Sequence, residues 1–430
     1  MPTIDATTDQ RIYDVLAGTV TVLLFAYGLV LLVRFLARSR PGLAIGVPIA
    51  LAFAFRIVAA AGVSLTSIGS ELRGGDEILF TDNARGIADT TFGSGEWISA
   101  LTGTLHEFVI AVQVWAFDPP EFALRIGEIG ITVVGLVLLA TAVYELAGAR
   151  AAVIAAWLLA VEPSGLFFSS LLHKEATMFL AEGLVAFGGA RMWKRGDFVS
   201  LAVITAGCLV GVATRPYAGW FLIAAGAAIT LHAGMRTTRR NEVGALGLIA
   251  VVVMVAAIFA PTVWEASSDE SLEENVQISQ DANAADDANL ALEEVDFSTR
   301  EAIITNLPVR IFDVSFRPYV WELGNASQRI GAIGGMFALV VIAFLVNALY
   351  RRRGEIFARA GPLIYLGIFL LIAYSLSTGN AGTGFRYRTH LLAVALCVIA
   401  GLWAWRAERA ARPVPRALPE ALPAKRYAPT

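Results

Sequence analysis

The chain has 430 residues, 57% of them hydrophobic and 16% charged, with a mean hydropathy of +0.65 and a formal net charge of −3. Soluble domains carry roughly a quarter charged residues, so the composition excludes an ordinary soluble enzyme and indicates an all-α, polytopic membrane protein. Its two cysteines, Cys208 and Cys397, both fall within apolar segments, which argues against a disulfide framework or a cysteine-based metal site.

About twenty apolar residues cross a bilayer core as a helix. The first apolar run, 15–36, is longer than a signal-peptide core and ends in Arg34, Arg38 and Arg40, so it reads as a retained helix. Further long candidates are 42–63, 123–146, 175–193, 198–214, 217–235, 243–264, 330–350, 362–376 and 391–405, with shorter ones at 106–117 and 151–165. Basic clusters at Arg34/Arg38/Arg40, Arg191/Lys194/Arg195, Arg236/Arg239/Arg240, Arg351/Arg352/Arg353 and Arg406/Arg409/Arg412/Arg416 mark the cytoplasmic side. The acidic stretches 71–107 and 265–296 fall on the other side.

Between Glu107 outside and Arg191 inside the number of crossings must be odd, yet four apolar segments intervene. The short run 106–117, closed by Asp118-Pro119-Pro120, is therefore expected to lie in the outer interface. The count becomes about eleven transmembrane helices, with the N-terminus out and the C-terminus in. A transmembrane domain over 1–405 carries outer loops at 64–122, 265–329 and 377–389, and the Pro-rich 406–430 reads as a disordered basic tail.

This topology gathers several polar groups on the outer face. Asp76-Glu77 with Asp82 suits a solvated loop or, equally, a general base at the lipid–water boundary. Phe80, Ala84, Ile87 and Ala88 follow at helical spacing and would hold Asp76 on an amphipathic helix. His173-Lys174-Glu175 opens a span: Glu175 suits the helix dipole, but three ionisable types in a row exceed what an anchor needs. Arg215-Pro216-Tyr217 is an outer helix end that could be plain anchoring. Arg386 and Arg388, behind the Gly-rich run 379–384, break the charge rule, and a paired guanidinium site for a lipid phosphate would explain them. The chain has no CxxC, HExxH, P-loop or dinucleotide fingerprint. A divalent metal held by outer carboxylates stays open; no other cofactor is expected.

In order and sidedness these residues resemble the C-type (GT-C) glycosyltransferase superfamily, nearest to polyprenyl-phosphate-sugar-dependent transferases of the protein-mannosyltransferase type. The resemblance rests on Asp76, Glu77, Phe80 and Ala84 in the first acidic loop, then Pro163, Ser169, Lys174 and Glu175 in the second outer loop, then Arg215-Pro216 and 380–388. It covers roughly 72–216 well and the remainder loosely. Phe80 stands where the family usually has Tyr, and an extra N-terminal helix precedes the Asp loop.

The resemblance implies an inverting glycosyltransferase of the plasma membrane, with its active site on the outer face and a multi-pass fold. It would move a sugar from a polyprenyl-phosphate donor to a hydroxyl acceptor in cell-envelope or exopolysaccharide synthesis. Asp76 would be the base and Glu175 the second catalytic acid. Glu77, Asp82, His173, Lys174, Arg215, Arg386 and Arg388 would contact substrate, the cations meeting the departing phosphate. Its partners would be the lipid-linked sugar, the acceptor and the bilayer, with no nucleic acid. A lipid-linked glycan polymerase or ligase, or a lipid-sugar transporter or flippase, are the alternatives.

Overall fold

The computed structural model describes residues 8–65, 75–94, 105–237, 299–319, 321–323 and 326–411, and regular structure among them is helical throughout. In chain order the helices are α1 Thr8–Arg38, α2 Gly46–Leu65, α3 Gly75–Ser94, α4 Leu105–Phe117, α5 Glu121–Ala147, α6 Ala149–Val161, α7 Pro163–Phe168, α8 Glu175–Arg195, α9 Phe198–Thr214, α10 Pro216–Thr237, α11 Arg300–Phe316, α12 Ala326–Ser377 and α13 Ala381–Ala411. Seven helical stretches among the described residues are long and apolar enough to cross a membrane: Leu16–Arg38, Gly46–Ser64, Glu121–Ala147, Pro216–Arg236, Ala332–Arg351, Ile356–Ser377 and Gly382–Arg406. With the more polar α8 and the shorter α6 and α9, they match ten of the eleven expected spans. The eleventh, 243–264, lies outside the described residues, as do 265–298 of the acidic loop.

The core is seamed by glycine. A Cβ added to Gly183 of α8 would lie 2.6 Å from the Gly135 carbonyl of α5, and one on Gly207 of α9 would lie 2.8 Å from the Ala181 carbonyl of α8. One on Gly188 would meet the Ile204 amide nitrogen at 2.8 Å. Only residues without a side chain allow backbones to approach this closely, which is how helices associate where lipid leaves no hydrophobic drive between them. Arg40, buried, donates to Glu145 (Nε to Oε1 2.9 Å, Nη2 to Oε1 2.7 Å) and ties the α1–α2 turn to the end of α5.

α12 is 52 residues long, so as a straight rod it would span about 78 Å at 1.5 Å per residue. It reverses instead. Gly335 sits against the Arg388 guanidinium of α13, whereas Gly361 and Ala358 meet Trp193 near the end of α8, and Gly367 meets Val394. The chain therefore runs one way to Arg351 and back again from Ile356, with the basic triplet 351–353 at the bend.

Two sequence expectations need correction. The loop expected over 377–389 is mostly helix: the Asn380 side chain accepts from the Thr383 amide at 2.7 Å, an N-cap interaction that starts α13 at Ala381, so Arg386 and Arg388 project from a helix. The tail expected from 406 begins later, because α13 continues to Ala411; 412–430 lie outside the described residues.

Candidate active site

Asp76 and Glu77 occupy the first turn of α3, where acids complement the helix dipole. The opposite face of α3 is held by Ala84 and Ala88, packed with Ile110 and Ala111 of α4, Leu124 of α5 and Leu172. Neighbouring residues on one turn point different ways, and that separates the two acids. The Asp76 side chain is 51% exposed, and its Oδ2 accepts from Arg386 Nη1 at 2.8 Å. Glu77 is turned inward: its Oε1 accepts from the Leu172 amide at 2.9 Å and from Arg125 Nη2 at 2.8 Å. Arg125 is fully buried and also holds Glu121 at 2.7 Å. Glu77 therefore ties the acidic turn to its neighbours, with its second carboxylate oxygen buried and without a hydrogen-bond partner.

The second element is the break between α6 and α8. Glu162 caps α7, accepting from the Ser164 amide at 2.9 Å and from the Gly165 amide. Arg56, mid-span in α2 and 1% exposed, donates to Ser169 Oγ at 2.7 Å and to the carbonyls of Ala52 (3.0 Å) and Leu159 (3.4 Å). A buried charge in a membrane helix needs partners, and here they are the walls of the turn that delivers His173, Lys174 and Glu175. His173 and His106 both meet the Phe80 ring edge-on, with centroids 6.4 Å and 5.4 Å away. Lys174 Nζ lies 4.8 Å from the Phe80 centroid, a cation–π contact at the mouth of the cluster.

Glu175 opens α8 with no exposed surface, 2.6 Å from Arg215 Nη2. Arg215 ends α9 and stacks over Tyr387 at 5.0 Å; the Tyr387 hydroxyl meets that of Tyr217, and Tyr374 stacks on Tyr387 at 4.5 Å. One turn below Arg386 on α13, buried His390 pairs with Glu182 of α8 at 3.0 Å, and Tyr374 reaches Glu182 at 3.4 Å. Glu175 Oε2 and Arg215 Nη1 are buried without a protein hydrogen-bond partner, so the pair keeps capacity to bind more.

Electrostatics sort the groups at the mouth. Burial raises the Asp76 pKa, but the charge and hydrogen bond of Arg386 outweigh it and leave the carboxyl below its ordinary range. Burial, and then the charge of Arg386, pull His173 down to about 3, so it is a neutral imidazole at physiological pH. Burial also lowers Lys174.

Asp76, His173, Lys174, Glu175, Arg215 and Arg386 thus form one cluster. Asp82 stands apart, two-thirds exposed and 3.9 Å from Arg85. Arg388 points away from Arg386: its Nε donates to the Val314 carbonyl at 3.0 Å and its Nη2 to that of Arg317. It thereby caps α11, and the two arginines do not form one fork. Arg388 also borders an apolar cavity of about 430 Å³ between α11, the two arms of α12 and α13, lined among others by Phe312, Leu345, Ile364, Leu371 and Leu391. The sequence reading overlooked Glu182, His390 and the roles of Arg125 and Tyr387; an acid or base inside an apolar run is the signal that marks the first three. Among the described residues no three His, Cys, Asp or Glu side chains are grouped as metal ligands.

No protein-family model matches the chain, and neither does any curated protein. Among solved structures it is similar to the crystal structure of ArnT from Cupriavidus metallidurans bound to undecaprenyl phosphate, at 15% identity and a TM-score of 0.46 over 82% of this chain and 59% of that one. It is also similar to the archaeal oligosaccharyltransferase AglB from Archaeoglobus fulgidus in complex with an inhibitory peptide and a dolichol-phosphate, at 14% identity and a TM-score of 0.43 over 86% of this chain and 52% of that one. The chain thus spans between half and three-fifths of the length of these two proteins.

Proposed function

We propose that the protein is a membrane glycosyltransferase that moves a sugar from a polyprenyl-phosphate donor to a hydroxyl acceptor at the outer face of the plasma membrane. The observation that carries this reading is the half-exposed Asp76 carboxylate, held 2.8 Å from Arg386, whose own helix α13 lines an apolar cavity bordered by Arg388.

In this mechanism the donor phosphate takes over Arg386 and releases Asp76 to the acceptor. Asp76 accepts the acceptor proton as the hydroxyl oxygen bonds to the anomeric carbon. The bond from that carbon to the phosphate oxygen breaks on the opposite face, inverting the centre, and polyprenyl phosphate leaves with an added negative charge. Cations fixed where that charge develops stabilise the transition state more than the ground state. Arg386 and Lys174 supply them, while the Glu175–Arg215 pair fixes the wall between. The prenyl chain follows the apolar cavity.

The test is transfer from radiolabelled polyprenyl-phosphate sugars in membranes containing the protein. Label should pass to a hydroxyl acceptor with inverted anomeric configuration. Retention of configuration, or no transfer from any such donor, overturns the proposal.

A further inference from the structure

We propose that the groove between α1 and α2 is a binding site for one anionic phospholipid of the inner leaflet, its acyl chain lying between the helices and its phosphate on Arg34 and Arg38. The site is separate from the outer cluster and does not rest on the proposed reaction.

α1 leans on α5 and not on α2: the Phe25 ring lies against Gly130, where any Cβ would collide with it, and Phe122 lies against Gly18. The α1 residues turned towards α2 are Ala26, Leu29, Val30, Val33 and Arg34, and those of α2 facing them are Gly46, Ile49, Ala50 and Phe53. Both sets follow helical spacing, one stripe against another. Stripes of larger residues would interdigitate at 8–10 Å between axes. Here Ala26, Gly46 and Ala50 are too small, and the walls enclose about 410 Å³.

The chemistry of the walls selects the occupant. Water needs two to four polar partners, and the groove offers one polar side chain, Arg34, against eight apolar residues. The groove opens on the apolar surface of the two spans, where Val30 and Ala50 are exposed and the surrounding medium is hydrocarbon, so the occupant is apolar along its length. At roughly 30 Å³ per water- or methylene-sized group, the groove takes about fourteen such groups, which is most of one acyl chain.

Charge fixes the head. Arg34 and Arg38 lie one turn apart and exposed, and neither has a carboxylate partner among the described residues. Arg40, the third basic residue of the cluster, is instead committed to Glu145. Basic groups between helices at the cytoplasmic side are suited to anionic headgroups, and positive charge places this end there.

The experiment is native mass spectrometry of the full chain in neutral detergent, titrated with phosphatidylglycerol or phosphatidylcholine of identical acyl chains. One phosphatidylglycerol should be retained with roughly ten- to thirtyfold higher apparent affinity than phosphatidylcholine, as expected from two arginines at a lipid phosphate. The double variant Arg34→Gln/Arg38→Gln should lose that preference but still take up either lipid, and Arg34→Lys/Arg38→Lys should keep it. Ala50→Leu, which fills the groove, should displace both lipids. Equal affinity for the two lipids in the wild type overturns the proposal without recourse to any variant, as does a preference that survives the double Gln change or the filled groove.

Discussion

Both ends of the bundle carry a buried arginine–carboxylate pair, and they differ in what is left over. At one end Arg40 spends its donors on Glu145, the Leu36 carbonyl and Ser39, and Glu145 has Arg195 near its second oxygen at 3.8 Å. Among the described residues, neither member of that pair has a buried side-chain atom left without a hydrogen bond. At the other end Glu175 Oε2 and Arg215 Nη1 are buried without a hydrogen-bond partner, and the neighbouring Asp76 is half exposed. Leaving buried polar groups unpaired costs stability; the Arg40–Glu145 pair avoids that cost and the Glu175–Arg215 pair bears it.

Five experiments probe that contrast. The largest effect is expected from Asp76→Asn, which removes the proposed base: transfer should fall by about 10²- to 10⁴-fold. The protein should stay folded, since the side chain is half exposed. Wild-type turnover in this variant would remove Asp76 from the chemistry.

Next come the buried pairs. Arg215→Gln strands the Glu175 charge and should destabilise the protein by about 3–5 kcal/mol in a thermal or denaturant unfolding assay, whereas replacing both partners of the other pair, Arg40→Met with Glu145→Leu, should be close to neutral. If the two changes cost the same, the contrast between the ends fails.

Glu77→Gln should weaken the hold of Arg125 and the Leu172 amide on α3, lowering kcat by about tenfold with KM nearly unchanged, as misplacement of a reacting group does. A rise in KM alone would return Glu77 to substrate binding, as the sequence suggested.

The fourth experiment is pH dependence. A base whose pKa is depressed stays ionised, so activity is present above that pKa and is lost as pH falls through it. Because Arg386 holds Asp76 below the ordinary carboxylate range, the acid limb of kcat/KM should lie below the usual Asp pKa of about 3.9. Arg386→Gln should move that limb to higher pH while lowering the plateau. A limb unmoved by Arg386→Gln would assign it to another group.

The smallest effect belongs to Asp82→Asn. This acid is exposed and 3.9 Å from Arg85, an arrangement worth little, and transfer should change less than about twofold. A large loss would reopen which acid of the segment is the base.

The bundle was legible from hydropathy and charge because spans obey local rules: the expected 123–146 is α5, Glu121–Ala147, and the expected 175–193 is α8, Glu175–Arg195. The short 106–117 also appears as a separate helix, α4. The division of labour within the site was not legible. Asp76 and Glu77 are adjacent acids that differ only in partners, Arg386 and Arg125, which lie far along the chain. Arg386 and Arg388 looked like a fork because glycines before them suggested a loop. The Asn380 cap turned that stretch into a helix, where residues two apart face opposite ways.

The glycine seam joining α5, α8 and α9 has a mechanical consequence. Backbones packed this closely leave little room to slide, so sliding of α5, α8 and α9 over one another would be opposed by collision. Glu175 and Arg215 are mounted on it, on α8 and α9. The folded-back α12 and the cap helix α11 border a cavity and not a seam. If the proposed reaction holds, the displacement that admits its lipid donor would fall to that flank, while Glu175 and Arg215 keep their place.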